Sequence, residues 1–232
     1  MAKPESFAEK AVEFYRNLSL KLNVKSVEVM NPYEDGEVMK IVEQFFGKYF
    51  DDQKKRTFIF GINPGRFGAG ITGIAFTDPV NLQEVCGIGN IWEKKHELSS
   101  RFIYRMIDEY GGPMAFYANH FITAVSPLGF VKEGKNLNYY DQRNLKEDVL
   151  PFIVDSVNRQ LEIGAWKKVA VCLGSGKNLK EMNHLNARYG WFDEIVPLDH
   201  PRFIMQYRRK AINQYVKKYL KALKNCESMN AD

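Results

Sequence analysis

Four short apolar runs constrain this chain more than any other feature of its sequence: TFIFGI at 57–62, HFITAV at 120–125, KVAVCL at 168–173 and EIVPL at 194–198. Their hydrophobicity is continuous rather than alternating, so each reads as a strand buried on both faces, as in a mainly parallel sheet between two helix layers. Around them, apolar residues recur at helical spacing. Ser6 and Glu9 form a capping box ahead of Phe7, Ala11, Phe14, Tyr15, Leu18 and Leu22. Further stripes run from Val38 to Tyr49, from Phe102 to Tyr110, from Leu145 to Leu161 and from Ile212 to Leu223. The expected class is α/β, a three-layer α/β/α fold with a central, mainly parallel four-stranded sheet. With 232 residues and no linker-like or repetitive stretch, one domain over 1–232 is expected.

Several function classes are disfavoured at once. No apolar run approaches the ~18 residues of a spanning helix, and the N-terminus lacks an apolar signal core, so a soluble cytoplasmic protein without a membrane partner is expected. Cys86, Cys172 and Cys226 are odd in number and far apart, which reads as reduced structural thiols. His96, His120, His184 and His200 have no second ligand three or four residues further on, so neither metal nor cofactor is expected. The net charge is only +5, yet Pro201 to Cys226 holds eight Lys/Arg and no acid. That stretch fits either a solvated helix face or a polyanion footprint.

The loops after the four strands carry the chemistry: NPGRFGAG, SPLGF, GSGKN and DHPRF. Ligands of open parallel sheets bind beyond the strand C-termini, so these loops should converge on one site. GAGITG, Gly68 to Gly73, matches a dinucleotide fingerprint by letter. It begins too far after the strand, Pro64 intervenes, no phosphate-binding helix is expected there, and no acid follows at ~20 positions. GSGKN lacks both the first glycine and the Ser/Thr of a P-loop. Its turn, with Ser175 and Lys177, fits either a plain tight turn or a single backbone-phosphate contact.

GINPGRFGAGITGIAFTD, residues 61–78, resembles the first motif of the uracil-DNA glycosylase superfamily and, within it, of the single-strand-selective monofunctional (SMUG-like) family. Gly61, Asn63, Pro64, Gly65, Phe67, Gly68, Thr72, Gly73 and Phe76 fall in register with G-M-N-P-G-x-F-G-x-x-x-T-G-x-x-F-G, with Ile62 for Met and Thr77 for the last Gly. The second motif's His-Pro is similar to His200-Pro201, and the resemblance spans roughly Lys55 to Leu223. Two positions depart from the pattern. Ala124 stands where the family places an asparagine that reads the uracil edge, and H-P-S-P-R-N becomes His200-Pro201-Arg202-Phe203-Ile204-Met205.

The resemblance implies a monofunctional DNA glycosylase excising uracil and other deaminated bases, such as hypoxanthine and xanthine, in base excision repair. Asn63 would place the attacking water, and His200 would stabilise the departing base, as in an oxyanion hole. Ile62, Pro64, Gly65, Phe76, Ala124 and Ser126 would form the base pocket, with Gly65 leaving room for 5-substituted uracils or deaminated purines. Arg202, Phe203 and Ile204 would contact or wedge into DNA, and Lys135, Asn136, Ser175 and Lys177 would touch phosphates. The expected partner is DNA containing deaminated bases, met by a monomer. Two alternatives stay open at this level: a purine-directed glycosylase of the same superfamily, and a non-catalytic nucleic-acid-binding module. Taken singly, Asn63-Pro64-Gly65 is also an ordinary turn and Phe76 an ordinary core residue.

Overall fold

A computed structural model describes residues 4–231. Its strands are β1 (Glu28–Met30), β2 (Thr57–Gly61), β3 (His120–Ala124), β4 (Gly129–Lys132), β5 (Lys135–Leu137), β6 (Val169–Leu173) and β7 (Glu194–Leu198). The helices are α1 (Phe7–Arg16), α2 (Gly36–Tyr49), α3 (Ala69–Thr72), α4 (Pro79–Glu84), α5 (Leu98–Tyr110), α6 (Pro113–Asn119), α7 (Arg143–Gly164), α8 (Lys177–Tyr189), α9 (Pro201–Tyr207) and α10 (Ile212–Ala231).

The four apolar runs form one sheet in the order β3-β2-β6-β7, parallel throughout. Every residue of β2, β3 and β6 is buried, which accounts for their uninterrupted hydrophobicity. Successive side chains of β2 face opposite layers. The Phe58 ring meets Phe7 of α1 at 6.2 Å and Phe121 at 4.8 Å, whereas Thr57 accepts a hydrogen bond from Asn230 of α10 at 2.9 Å. Helices α1 and α7 therefore cover one face and α10 the other, with α5 packed on α10 through Phe102 and Tyr219. The result is the expected three-layer fold. The strand order switches sides at β2, which lies between β3 and β6, so a crevice opens at its C-terminal end.

Three features differ from the sequence expectation. Helix α1 stops at Arg16, because the Asn17 side chain donates to the Glu13 carbonyl at 2.9 Å and closes it; Leu18 is buried beyond the helix rather than within it. One short turn, α3, does open inside the Gly68–Gly73 string, though at four residues it is no phosphate-binding helix. A second, antiparallel sheet, β1-β4-β5, stands beside the first. Its strands are three or four residues long, too short to show a period. Among the described residues, no helix is long and apolar enough to cross a membrane, and no group of three or more His, Cys, Asp or Glu side chains could hold a metal ion.

Candidate active site

A cavity of about 420 Å³ opens at the C-terminal end of the parallel sheet. It is lined from three strand ends: Ile62 to Gly65 after β2, Thr123 and Ala124 of β3, and His200 after β7. The two β2–β3 strands stay paired past their formal ends, since the Ser126 amide donates to the Ile62 carbonyl at 3.0 Å. That pairing fixes where Ile62 and Asn63 leave the sheet.

Asn63 is clamped. Its Nδ2 donates to the Leu137 carbonyl at 3.0 Å and to the Pro64 carbonyl at 3.3 Å, while its Oδ1 accepts from the Tyr139 amide at 3.1 Å. The amide thus staples the end of β2 to the chain leaving β5, and both amide protons are used. One Oδ1 lone pair is left for a ligand or water.

His200 caps α9: its Nδ1 accepts from the Arg202 amide at 3.2 Å, ahead of Pro201 at the first helical position. Burial, reinforced by the Arg202 charge, pushes its pKa down from 6.5 to about 4. The ring is therefore neutral near pH 7. With Nδ1 occupied as an acceptor, the hydrogen-bond network assigns the proton to Nε2, making that atom a donor. The preceding residue is anchored too: Asp199 accepts from Ser175 at 2.9 Å and from Lys218 at 2.8 Å. Burial alone would raise its carboxyl, but those bonds outweigh it and hold Asp199 below the usual range.

Phe76 faces His200, ring centroids 5.8 Å apart. It reaches that position with φ 54°, a left-handed conformation costly for a bulky residue. The surrounding loop holds it there. Buried Thr72 donates to the Thr77 carbonyl at 2.7 Å, and Gly73, at φ 71°, lies so close to Val38 and Val42 that a Cβ would meet them at 2.7 and 2.8 Å. Across the cavity floor, Gly61 has no side chain to displace the Phe76 ring.

Most of the residues expected from the sequence meet here. Asn63 and His200 share the cavity with Ile62, Pro64, Gly65, Phe76 and Ala124, and Asn136, Arg202 and Phe203 line its mouth. Asn136 also accepts from the Arg66 amide at 3.3 Å, and Lys135 is exposed beside it on β5 without lining the cavity. Other placements correct the expectation. Ser126 is fully buried and donates to the Leu128 carbonyl at 2.8 Å, so it folds into its own turn and not into the pocket. Ile204 is fully buried beneath α9, where it cannot enter a base stack. The GSGKN loop stays outside the cavity: Ser175 is bound to Asp199, and Lys177 donates to the Tyr140 carbonyl at 2.6 Å. Only two of the four loops converge, those after β2 and β7, and β3 contributes its own last residues.

The mouth holds groups that sequence reasoning passed over as site residues: Glu97 and Ser99 at the start of α5, Asn138, and the exposed rings of Phe67 and Tyr207. The rings stand with cations. Arg66 and Lys95 lie over Phe67 at 5.1 and 5.5 Å, Arg208 lies over Phe203 at 5.4 Å, and Phe203 and Tyr207 are 5.6 Å apart. Exposed aromatic rings interleaved with cations suit unstacked bases and their phosphates. Tyr207 lies one helical turn beyond Phe203, a spacing visible in the sequence.

An apolar slot with one aromatic face, one neutral imidazole donor and one amide acceptor, framed by aromatic and basic side chains, is equipped to take a single flipped base. Comparison with known proteins agrees: the family model of the uracil-DNA glycosylase superfamily matches residues 48–224, and the chain belongs to that superfamily. It is a DNA glycosylase, hydrolysing N-glycosidic bonds in base excision repair. Within the superfamily it is SMUG-like. The crystal structure of wild-type Pedobacter heparinus SMUG2 is 42% identical, superposes with a TM-score of 0.92, and is matched over 96% of this chain and 99% of that one. No curated protein matches the chain. The non-catalytic alternative is thereby set aside.

Proposed function

We propose that the enzyme excises uracil and other deaminated bases, hypoxanthine and xanthine among them, from DNA by a monofunctional mechanism. The observation that carries this reading is the meeting of Asn63, His200 and Phe76 in one cavity from separate segments of the chain. A flipped base stacks on Phe76. As the glycosidic bond lengthens, negative charge collects on the base, and the neutral His200 Nε2–H donates to its carbonyl oxygen; such a donor is worth about 10²–10³ in rate. The free lone pair of Asn63 Oδ1 orients a water towards the sugar. No lysine is among the described residues that line the cavity, which supports simple hydrolysis without strand cleavage through an imine. Arg202 and Phe203, together with Phe67 and Tyr207, hold the strand around the extruded nucleotide, and Lys135 and Asn136 touch its phosphates. The contiguous core of the described residues supports one domain over 1–232, working in the cytosol as a monomer that can close around DNA.

Ala124 supports breadth. It offers a methyl group where an amide would impose the uracil pattern, and Gly65 adds room, since a side chain there would start 3.3 Å from Asn136 Nδ2. The test is a panel of labelled oligonucleotides carrying uracil, hypoxanthine or xanthine, single- and double-stranded, followed by alkaline cleavage of abasic sites. Strand breaks that appear only after alkali, with uracil and at least one deaminated purine, are expected. Cleavage of purines alone would replace this reading by the purine-directed alternative, and breaks without alkali would overturn the monofunctional mechanism.

A further inference from the structure

Glu97 is the one carboxylate among the described residues that line the cavity. It is held firmly: Oε2 accepts from the Ser100 amide at 2.9 Å, Oε1 accepts from the Ser99 hydroxyl at 3.0 Å, and the Glu97 amide itself donates to Asp78 at 2.8 Å. Capping α5 is the plain reading of this arrangement, yet glutamate is not among the favoured capping residues, and the shorter Asp, Ser or Asn would serve better. The extra methylene carries the carboxylate beyond the helix end, beside Gly68, where a Cβ would lie 3.6 Å from Glu97 Cγ. Two of its roughly four lone-pair positions are used, leaving the others for the cavity.

A negative charge in this position opposes the binding of DNA phosphates, whereas its neighbours Lys95 and Arg202 favour it. The chemistry leaves a role for such a charge. Asn63 can orient water but is no base, and its amide protons are already committed to the Leu137 and Pro64 carbonyls. The proton lost when water attacks the sugar therefore needs an acceptor. We infer that the Glu97 carboxylate faces the sugar of the flipped nucleotide, stabilises the positive charge at C1′ and accepts that proton. This inference rests on the base-excision mechanism above. The C1′–N bond breaks with its electron pair going to the base, water forms the C1′–O bond, and one water proton passes to Glu97 and then to the released base. Water is added across the glycosidic bond, with no other reactant.

The test compares Glu97→Gln and Glu97→Asp with the unmodified chain on the oligonucleotide it cleaves best, measuring single-turnover rate, affinity for abasic-site DNA and thermal melting. Glu97→Gln is expected to slow excision about 10²-fold, the usual worth of a general base, while abasic DNA binds equally or more tightly. Glu97→Asp, which keeps the helix cap but draws the carboxylate back by one methylene, should melt like the unmodified chain and still excise at least tenfold more slowly. Should Glu97→Gln fold poorly, Ser99→Ala leaves the Ser100 bond in place and is expected to slow excision several-fold by freeing one carboxylate oxygen. A Glu97→Gln rate within threefold of the unmodified chain overturns the assignment alone, as does an equal loss in both Glu97 variants that tracks melting temperature. No cleavage of any oligonucleotide by the unmodified chain overturns it together with the mechanism it rests on.

Discussion

Replacing Gly61 by alanine would press one methyl group against the ring on which the base is expected to stack. The new Cβ would sit 2.8 Å from Phe76 Cε2, 3.0 Å from Cζ and 3.4 Å from the Thr123 carbonyl oxygen. Carbon atoms in good contact lie about 3.5–4.0 Å apart, so the ring must retreat by about 0.7–1 Å. Phe76 has little freedom to do so, being held at φ 54° by the loop that Thr72 and Gly73 shape. Overpacking of this kind typically costs about 1–3 kcal/mol, which for a chain of this size lowers Tm by roughly 2–12 °C. The functional loss should be larger, since a displacement of about 1 Å at a reacting group can cost about 10²-fold in rate. Single-turnover excision and thermal melting, measured on Gly61→Ala, Phe76→Leu and the double variant, test the argument. The smaller leucine should recover most of the Tm lost to the alanine without restoring the rate. A Gly61→Ala enzyme with unchanged Tm and a rate within threefold of the parent would refute the claim that Phe76 is seated against Gly61, as would independent, additive effects in the double variant.

Asn63→Ala should lower both rate and stability, because it removes the Leu137, Pro64 and Tyr139 bonds along with the oxygen proposed to orient water. At about 1 kcal/mol for each of the two longer-range bonds, a Tm decrease of several degrees is expected; an unchanged Tm would contradict the stapling role. Stability should also depend on pH through His200. Its pKa is about 4 folded against an ordinary 6.5, so between those values the unfolded chain binds a proton that the folded one does not. The contribution is therefore complete above pH 6.5 and is lost as pH falls towards 4, amounting to about 2–3 kcal/mol. Urea unfolding at pH 7 and pH 4.5 should show a smaller loss for His200→Gln than for the parent; equal losses would count against a buried neutral imidazole.

The sequence by itself determined the layered architecture and the sheet edge on which the cavity opens. Short continuous apolar runs fit strands covered on both faces, and Asn63 and His200 stand within two residues of the ends of two of those runs, so their convergence follows from parallel strand direction. The burial of Ile204 was also legible in principle. Pro201, Ile204 and Met205 share one helical face, while Phe203 and Tyr207 occupy the other, a period that reading DHPRF as a loop concealed. Tertiary structure decided the rest. The second sheet is built from strands too short to carry a pattern, and its last strand and the chain leaving it provide the Leu137 and Tyr139 groups that immobilise Asn63 from 74 and 76 residues away. Ser126 was lost from the pocket to a two-residue hydrogen bond, and Glu97 entered it because α5 starts beside Gly68. Periodicity reports which face of an element is covered; which polar atom ends opposite which depends on contacts between distant segments, and those exist only once the chain has packed.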